Sequence, residues 1–271
     1  MIVAYRITLA VLVSVLATNA MAQGAPTHSC VVIQDLTAER PLVRRGDDCA
    51  TRLSPASTFK IPHALVALDT GAVTADGIEK WDGTKYPRQL KWNQDHTVIS
   101  ALKPSVLWLY QRIAPRIGAE RMTAWLTKFH YGNTDVSGPI TQYWINGRLA
   151  ISASEQVAFL RAFYRRALPI DRRHQNLVRA GLEQRVGTVE NALGVHPLKG
   201  DWRQATLNSK TGATTTDKYR VSWLVGSLRT NGRDYVFASV VWRTDGEVDT
   251  LEAAHLAGAT FIDTGLLPPG R

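Results

Sequence analysis

Ser57 and Lys60 stand three residues apart in Ser57-Thr58-Phe59-Lys60, at the head of an apolar stretch that reads as a helix. At that spacing a hydroxyl and an amine share one helix face within mutual reach. The pair holds the parts of nucleophilic catalysis, because a serine attacks once a base takes its proton, and an amine is a base once it is neutral. An ordinary lysine titrates at about 10.4. Burial lowers this by roughly 3 to 5 units, since desolvation opposes the charged form. A positive helix N-terminus would favour an oxyanion beside Ser57. Alone the motif is weak: Ser100-Ala101-Leu102-Lys103 repeats the spacing, and the ordinary reading of either is a helix cap and a solvated lysine. Pro62 removes a backbone donor early in the helix, which predicts an irregular first turn. A second element is Lys210-Thr211-Gly212, read at the start of a strand series. There a lysine-hydroxyl-glycine edge can bind a carboxylate and let another backbone approach closely. Ser105 and Tyr131-Gly132-Asn133 lie between the two, and the order of the four pieces carries more than any one of them.

Other chemistries lack their parts. The histidines His28, His63, His96, His130, His174, His196 and His255 show no HExxH or comparable metal-ligand spacing, and no Walker or dinucleotide glycine pattern occurs. A zinc hydrolase, a nucleotide enzyme and a Rossmann oxidoreductase are set aside, and no metal is expected. The G-x-S-x-G elbow of a Ser-His-Asp hydrolase is missing too.

The elements that must position these residues start with a hairpin, Ser29–Ile33 and Pro41–Arg44 joined by a polar turn. Helical patterns follow at Ala64–Leu68 closing at Gly71, Val106–Ile117, Ala119–Phe129 and Glu155–Tyr164. Strand patterns return after Lys210, at Tyr219–Arg229 and Asp234–Arg243, with Thr230-Asn231-Gly232-Arg233 as a strong hairpin turn. Glu247–Phe261 reads as a last helix, stopping near Gly265 and Pro268-Pro269. The terminal strands and last helix predict one sheet-and-helix layer with the central helices inserted as a second lobe. Trp81, Trp92 and Trp108 are read as core packing, because large aromatics carry much of a core's buried area.

The chain has 271 residues, 45% hydrophobic and 20% charged, an ordinary globular composition that excludes collagen, low-complexity and disulfide-miniprotein classes. Lys+Arg number 32 against Asp+Glu 23. The basic residues are scattered, densest at Arg40–Arg45 and Arg161–Arg173, with no interleaved aromatic stripe. A solvated basic surface or attraction to anionic partners therefore explains the charge, and no nucleic-acid partner is expected. Arg6, the apolar run Ile7–Ala17 and Ala20-Met21-Ala22 have the form of a secretion signal, Met1–Ala22. An uncleaved anchor is the competing reading, but the run is shorter than the roughly 20 residues a span requires. The protein is thus expected in the periplasm, with no membrane contact after cleavage. Cys30 and Cys49 are the two cysteines. In an oxidising compartment they predict a disulfide closing a loop of about 20 residues, with two buried thiols as the alternative.

The chain resembles the class D (serine, oxacillinase-type) β-lactamases. The likeness rests on Pro55–Pro62, Trp81-Asp82-Gly83, Trp92–Thr97, Ser105-Val106-Leu107-Trp108, Tyr143–Gly147 and Trp223–Gly226 together with the four motifs, and runs from about Cys30 to Leu267. It implies a layered α/β (α+β) fold of the serine β-lactamase and penicillin-binding-protein kind: a central antiparallel sheet flanked by helices, plus an all-helical lobe. One domain is expected over 23–271, with a sheet lobe at about 23–56 and 200–271 and a helical lobe at about 57–199.

The implied reaction is attack of Ser57 on a β-lactam carbonyl and hydrolysis of the resulting acyl-enzyme. Lys60, carboxylated by CO2, would be the general base, with no other cofactor. Phe59, Leu107 and Ile145 suit the burial this needs, and Trp144 would donate its indole N–H to the carbamate. Ser105 would pass a proton toward the lactam nitrogen beside Lys210. The backbone N–H groups of Ser57 and Ala213 would form the oxyanion hole, with Thr211 and Gly212 at the substrate carboxylate. Tyr131-Gly132-Asn133 is read as shaping the lobe interface. Two positions depart from the family pattern. Leu107 stands where the family's middle motif usually ends in Val, and Glu252 stands where an arginine commonly binds the substrate carboxylate. Arg243 is either a substitute for that arginine or a surface residue. A β-lactam sensor that acylates without turnover and a cell-wall transpeptidase are the competing functions. Monomer and homodimer both remain open.

Overall fold

The computed structural model describes residues 27–46 and 48–270. The secretion signal read at Met1–Ala22 lies outside them. Among the described residues no helix is long and apolar enough to cross a membrane.

One five-stranded antiparallel sheet organises the molecule, in the order β2-β1-β7-β6-β5. Its strands are β1 (His28–Asp35), β2 (Val43–Arg45), β5 (Thr206–Thr215), β6 (Arg220–Thr230) and β7 (Arg233–Arg243). Successive side chains on a strand point to opposite faces, and here both faces are covered. Val32, Trp223, Val225, Ala238 and Val240 enter the core that holds the central helices, while Val31, Ile33, Leu224, Phe237 and Val241 enter the opposite one. Burial on both sides explains why these strands read as apolar runs instead of a clean alternation. The turn between β6 and β7 puts Asn231 and Gly232 at φ 49° and 74°, the left-handed pair a two-residue hairpin needs.

Helix α6 (Glu252–Asp263) covers one face through Phe261 and through Ala253, Ala254 and Ala257, small residues that let it lie close to the sheet. On the other face, α4 (Ala153–Tyr164) packs against β7 and β1. It begins at the capping box of Ser152 and Glu155, two residues before the sequence reading. The remaining helices are α1 (Lys60–Asp69), α2 (Leu107–Ile117), α3 (Ala119–Lys128) and α5 (Arg172–Gly181). Residues 60–68 of α1 are all buried, the mark of a helix enclosed on every side. That enclosure fixes the environment of Lys60.

The sequence reading needs correction at several points. The stretch 57–199 is not wholly helical: β3 (Thr188–Asn191) and β4 (Gly194–Pro197) pair as a hairpin, too short for its alternation to stand out. Strand β5 starts at Thr206, so Lys210 lies mid-strand. The last helix starts at Glu252, after a turn in which the Asp249 carboxylate accepts from the Leu251 N–H at 2.7 Å. Trp92 and Trp108 are half-buried and packed against the core, while Trp81 is half-buried outside it. Trp81 and Trp108 lie under Lys85 and Arg112 at 4.9 and 4.8 Å, while Trp144 and Trp223 fill the core.

Cys30 of β1 and Cys49 are joined by a disulfide with S–S 2.04 Å.

Candidate active site

The chain enters α1 through a tight 3-10 turn, Ala56–Phe59, in which Ser57 stands. Pro62, in the first turn of α1, has no N–H to donate at the point where turn becomes helix. Ser54 anchors the approach: its hydroxyl donates to the carbonyls of Trp144 and Ile145 at 2.9 and 2.7 Å, and its carbonyl accepts from the Trp223 indole at 3.0 Å. Thr58 turns its hydroxyl to the Pro55 carbonyl at 2.7 Å and accepts from Gln156 at 2.9 Å. Ala56 is held at φ 47°, a left-handed conformation that costs a non-glycine residue on the order of 1–3 kcal/mol and tends to mark functional sites. Ser105, at φ 59°, is held the same way.

Lys60 Nζ lies 2.8 Å from Ser57 Oγ and is fully buried. Burial drives its pKa well below the ordinary lysine range, and neighbouring Lys210 adds to the effect. Lys210 is also fully buried, and desolvation lowers it to about 7. Its ammonium donates to Ser105 Oγ at 3.1 Å and to the Thr211 carbonyl at 2.9 Å. Two hydroxyl–amine pairs, Ser57–Lys60 and Ser105–Lys210, thus meet at one place with both amines inclined to be neutral. The competing Ser100–Lys103 motif differs on this point: it lies in a turn, Ser100 is tied to His96 and Thr97, and Lys103 donates to the Glu183 carbonyl at 2.9 Å.

Around Lys60 the lining is aromatic. Its Nζ is 5.3 Å from the Tyr110 ring centre. Trp144 packs on Phe59 and His63, the neighbours of Lys60 along the helix, at 5.8 and 5.3 Å between ring centres. The buried Nε1 of Trp144 has no hydrogen-bond partner. Such a donor is uncommon in a folded core, and it fits a carboxylate group carried on Lys60. His63 is buried with neither ring nitrogen partnered, and burial lowers it to about 3, so it stays neutral.

Ser57, Ser105, Thr211, Gly212 and Ala213 line one cleft of about 270 Å³. Strand β5 ends the sheet, so one of its edges carries backbone groups free of the sheet ladder. A Cβ at Gly212 would lie 3.0 Å from the Pro55 carbonyl oxygen and 3.1 Å from the Thr58 nitrogen, so a side chain there would have to displace β5 or the Ser57 turn by a few tenths of an ångström. Leu107 stands beside the cleft in a mainly apolar hollow with Trp92, Ile145 and Ala192.

Arg243 is not among the residues lining the cleft. Its guanidinium pairs with both carboxylate oxygens of Glu252 at 2.8 and 2.5 Å and donates to Thr27 at 2.9 Å. Asn133 accepts from the Ala150 N–H at 2.9 Å and donates to the Arg148 carbonyl at 2.7 Å, joining loops away from the cleft lining. The sequence reading missed Arg88, Gln89, Thr250 and 191–193, which complete the cleft. Only the last left a signal, the Asn191–Gly194 turn between two short alternating runs.

The family model described as the penicillin binding protein transpeptidase domain matches residues 20–261. β-Lactamase OXA-3 of Pseudomonas aeruginosa is 46% identical over 219 residues, which are 80% of this chain and 72% of that protein. The structure of a class D β-lactamase from Bacillus subtilis aligns with TM-score 0.73 at 31% identity, covering 89% of this chain and 92% of that one. The regulatory protein BlaR1 of Bacillus licheniformis is 33% identical over 82% of this chain, which spans 34% of its length.

Proposed function

This chain belongs to the class D β-lactamases, within the penicillin-binding protein transpeptidase-domain family, and from that premise we propose that it hydrolyses penicillin-type β-lactams through an acyl-enzyme on Ser57. The base is Lys60 carboxylated by CO2. Carboxylation supplies an oxygen base that accepts the Ser57 proton and later that of a water; it requires a neutral amine, which the burial of Lys60 favours. Trp144 orients that group through its unused N–H.

Ser57 Oγ attacks the lactam carbonyl while the backbone N–H groups of Ser57 and Ala213 hold the oxyanion. As the C–N bond breaks, Ser105 gives its proton to the lactam nitrogen and is reprotonated from Lys210, 3.1 Å away. Thr211 holds the substrate carboxylate. Water then cleaves the ester, releasing the opened product and Ser57. We read export to the periplasm from Met1–Ala22.

The observation carrying this reading is the 2.8 Å contact between Ser57 and a fully buried Lys60. Similarity to the regulatory protein BlaR1 favours a second reading, a sensor that acylates once. Protein mixed with excess penicillin separates the two: the hydrolase gives product far beyond one equivalent, whereas the sensor gives a single-equivalent burst with Ser57 left acylated.

A further inference from the structure

The site has to receive an anion, and its cations are mostly committed. Lys60 and Lys210 are fully buried and bonded to Ser57 and to Ser105 and Thr211. Arg243 is locked onto Glu252 and Thr27, outside the cleft lining. Among the described residues no Asp or Glu lines the cleft, and the one arginine that does is Arg88, on the loop ahead of the short turn Leu90–Trp92. Arg88 is exposed, and among the described residues its guanidinium has no hydrogen bond or ion pair. An arginine presents a planar fork matched to a carboxylate.

We propose that Arg88 is the residue that binds the carboxylate beside the lactam ring, setting affinity from the loop wall of the cleft in place of an arginine from the sheet end. The proposal rests on the β-lactam reading above. Thr211 then contributes a hydroxyl contact to the same anion, and Arg88 supplies the charge. Because Arg88 acts before any bond changes, it governs KM and the rate of acylation at low substrate, and leaves deacylation alone.

The test compares wild type with Arg88→Ala, Arg88→Lys and Arg243→Ala, each on a penicillin and on its methyl ester, reading acylation of Ser57 by intact mass and turnover by absorbance. The expected result is that Arg88→Ala lowers acylation efficiency on the free acid by about tenfold, leaves the ester unchanged, and that Arg88→Lys recovers part of the loss. Equal losses on acid and ester, no loss on either, or loss of acid preference in Arg243→Ala instead would overturn the assignment. Wild-type protein that acylates without turning over refutes the hydrolase reading while leaving the acid-to-ester comparison intact. Wild-type protein that fails to acylate at all removes both.

Discussion

Lys60 and Trp144 are the residues on which the proposed cycle turns, and each has its own signature. Removing the base with Lys60→Ala is expected to slow acylation and to block deacylation, so that the acyl-enzyme accumulates on long incubation. Intact mass should then show Ser57 carrying opened antibiotic, with turnover down by at least about 10²-fold. Trp144→Phe keeps an aromatic side chain, though a smaller one, and deletes the donor, so it should still fold but need more added bicarbonate for full activity, read as a rightward shift in a bicarbonate titration. Acidification protonates the buried Lys60 amine, whose burial holds it well below the ordinary lysine range, and drives off its CO2, so kcat/KM is expected to fall reversibly in acid and to recover on return with added bicarbonate. A profile flat from pH 5 to 8 would count against a neutral Lys60. Ser57 and Lys60 could be picked out by their short spacing, and Ser105 and Lys210 through the order of the motifs, and the structure brings the four side chains together. The left-handed backbone of Ala56 and Ser105 and the unpartnered N–H of Trp144 were not legible, since each is imposed by packing from distant segments. Arg243 stayed ambiguous in the sequence because its bidentate partner Glu252 lies nine residues on, across the turn that leads into α6.

β5 and the 3-10 turn before α1 press together at Gly212, and the proposed cycle depends on that contact. Gly212→Ala puts a methyl group against the Pro55 carbonyl and the Thr58 nitrogen, which is expected to push β5 outward and lower kcat about tenfold or more by misplacing the oxyanion donors, with near-native circular dichroism. Unchanged kcat would show that the close approach is not needed. Most elements could be read from pattern. The Asn231-Gly232 turn fixed the register of β6 and β7 through φ values only certain residues adopt. Helix α5 escaped notice because only Gln175 and Val178 are buried along its arginine-rich length, too few to make an apolar stripe. The β3–β4 hairpin escaped for the opposite reason, having only four residues in each strand.

At the scale of the whole molecule, enclosing two lysines has a thermodynamic consequence. The unfolded chain holds both protons up to the ordinary lysine range near 10.5, whereas folded Lys210 has released its proton above about 7. Between these limits the unfolded state binds more protons, so stability is expected to rise with pH from about 7 toward 10. Urea midpoints in bicarbonate-free buffer should increase over that window in wild type and less steeply in Lys210→Met. Equal slopes would remove Lys210 as the cause. The Cys30–Cys49 link, spanning 19 residues in sequence, ties β1 to the segment leading toward the Ser57 turn. Replacing both cysteines by alanine is expected to lower unfolding free energy by about 3 kcal/mol, measured by denaturant titration, with turnover largely kept at 25 °C.

The measurement that bears most directly on the catalytic account is carbon-13 NMR of the protein equilibrated with labelled bicarbonate. One carbamate resonance is expected that vanishes in Lys60→Ala, weakens in Trp144→Phe, and disappears and returns with acid and base in step with activity. Full turnover with no such resonance would contradict the account, because the base would then be something other than Lys60 carrying carbon dioxide.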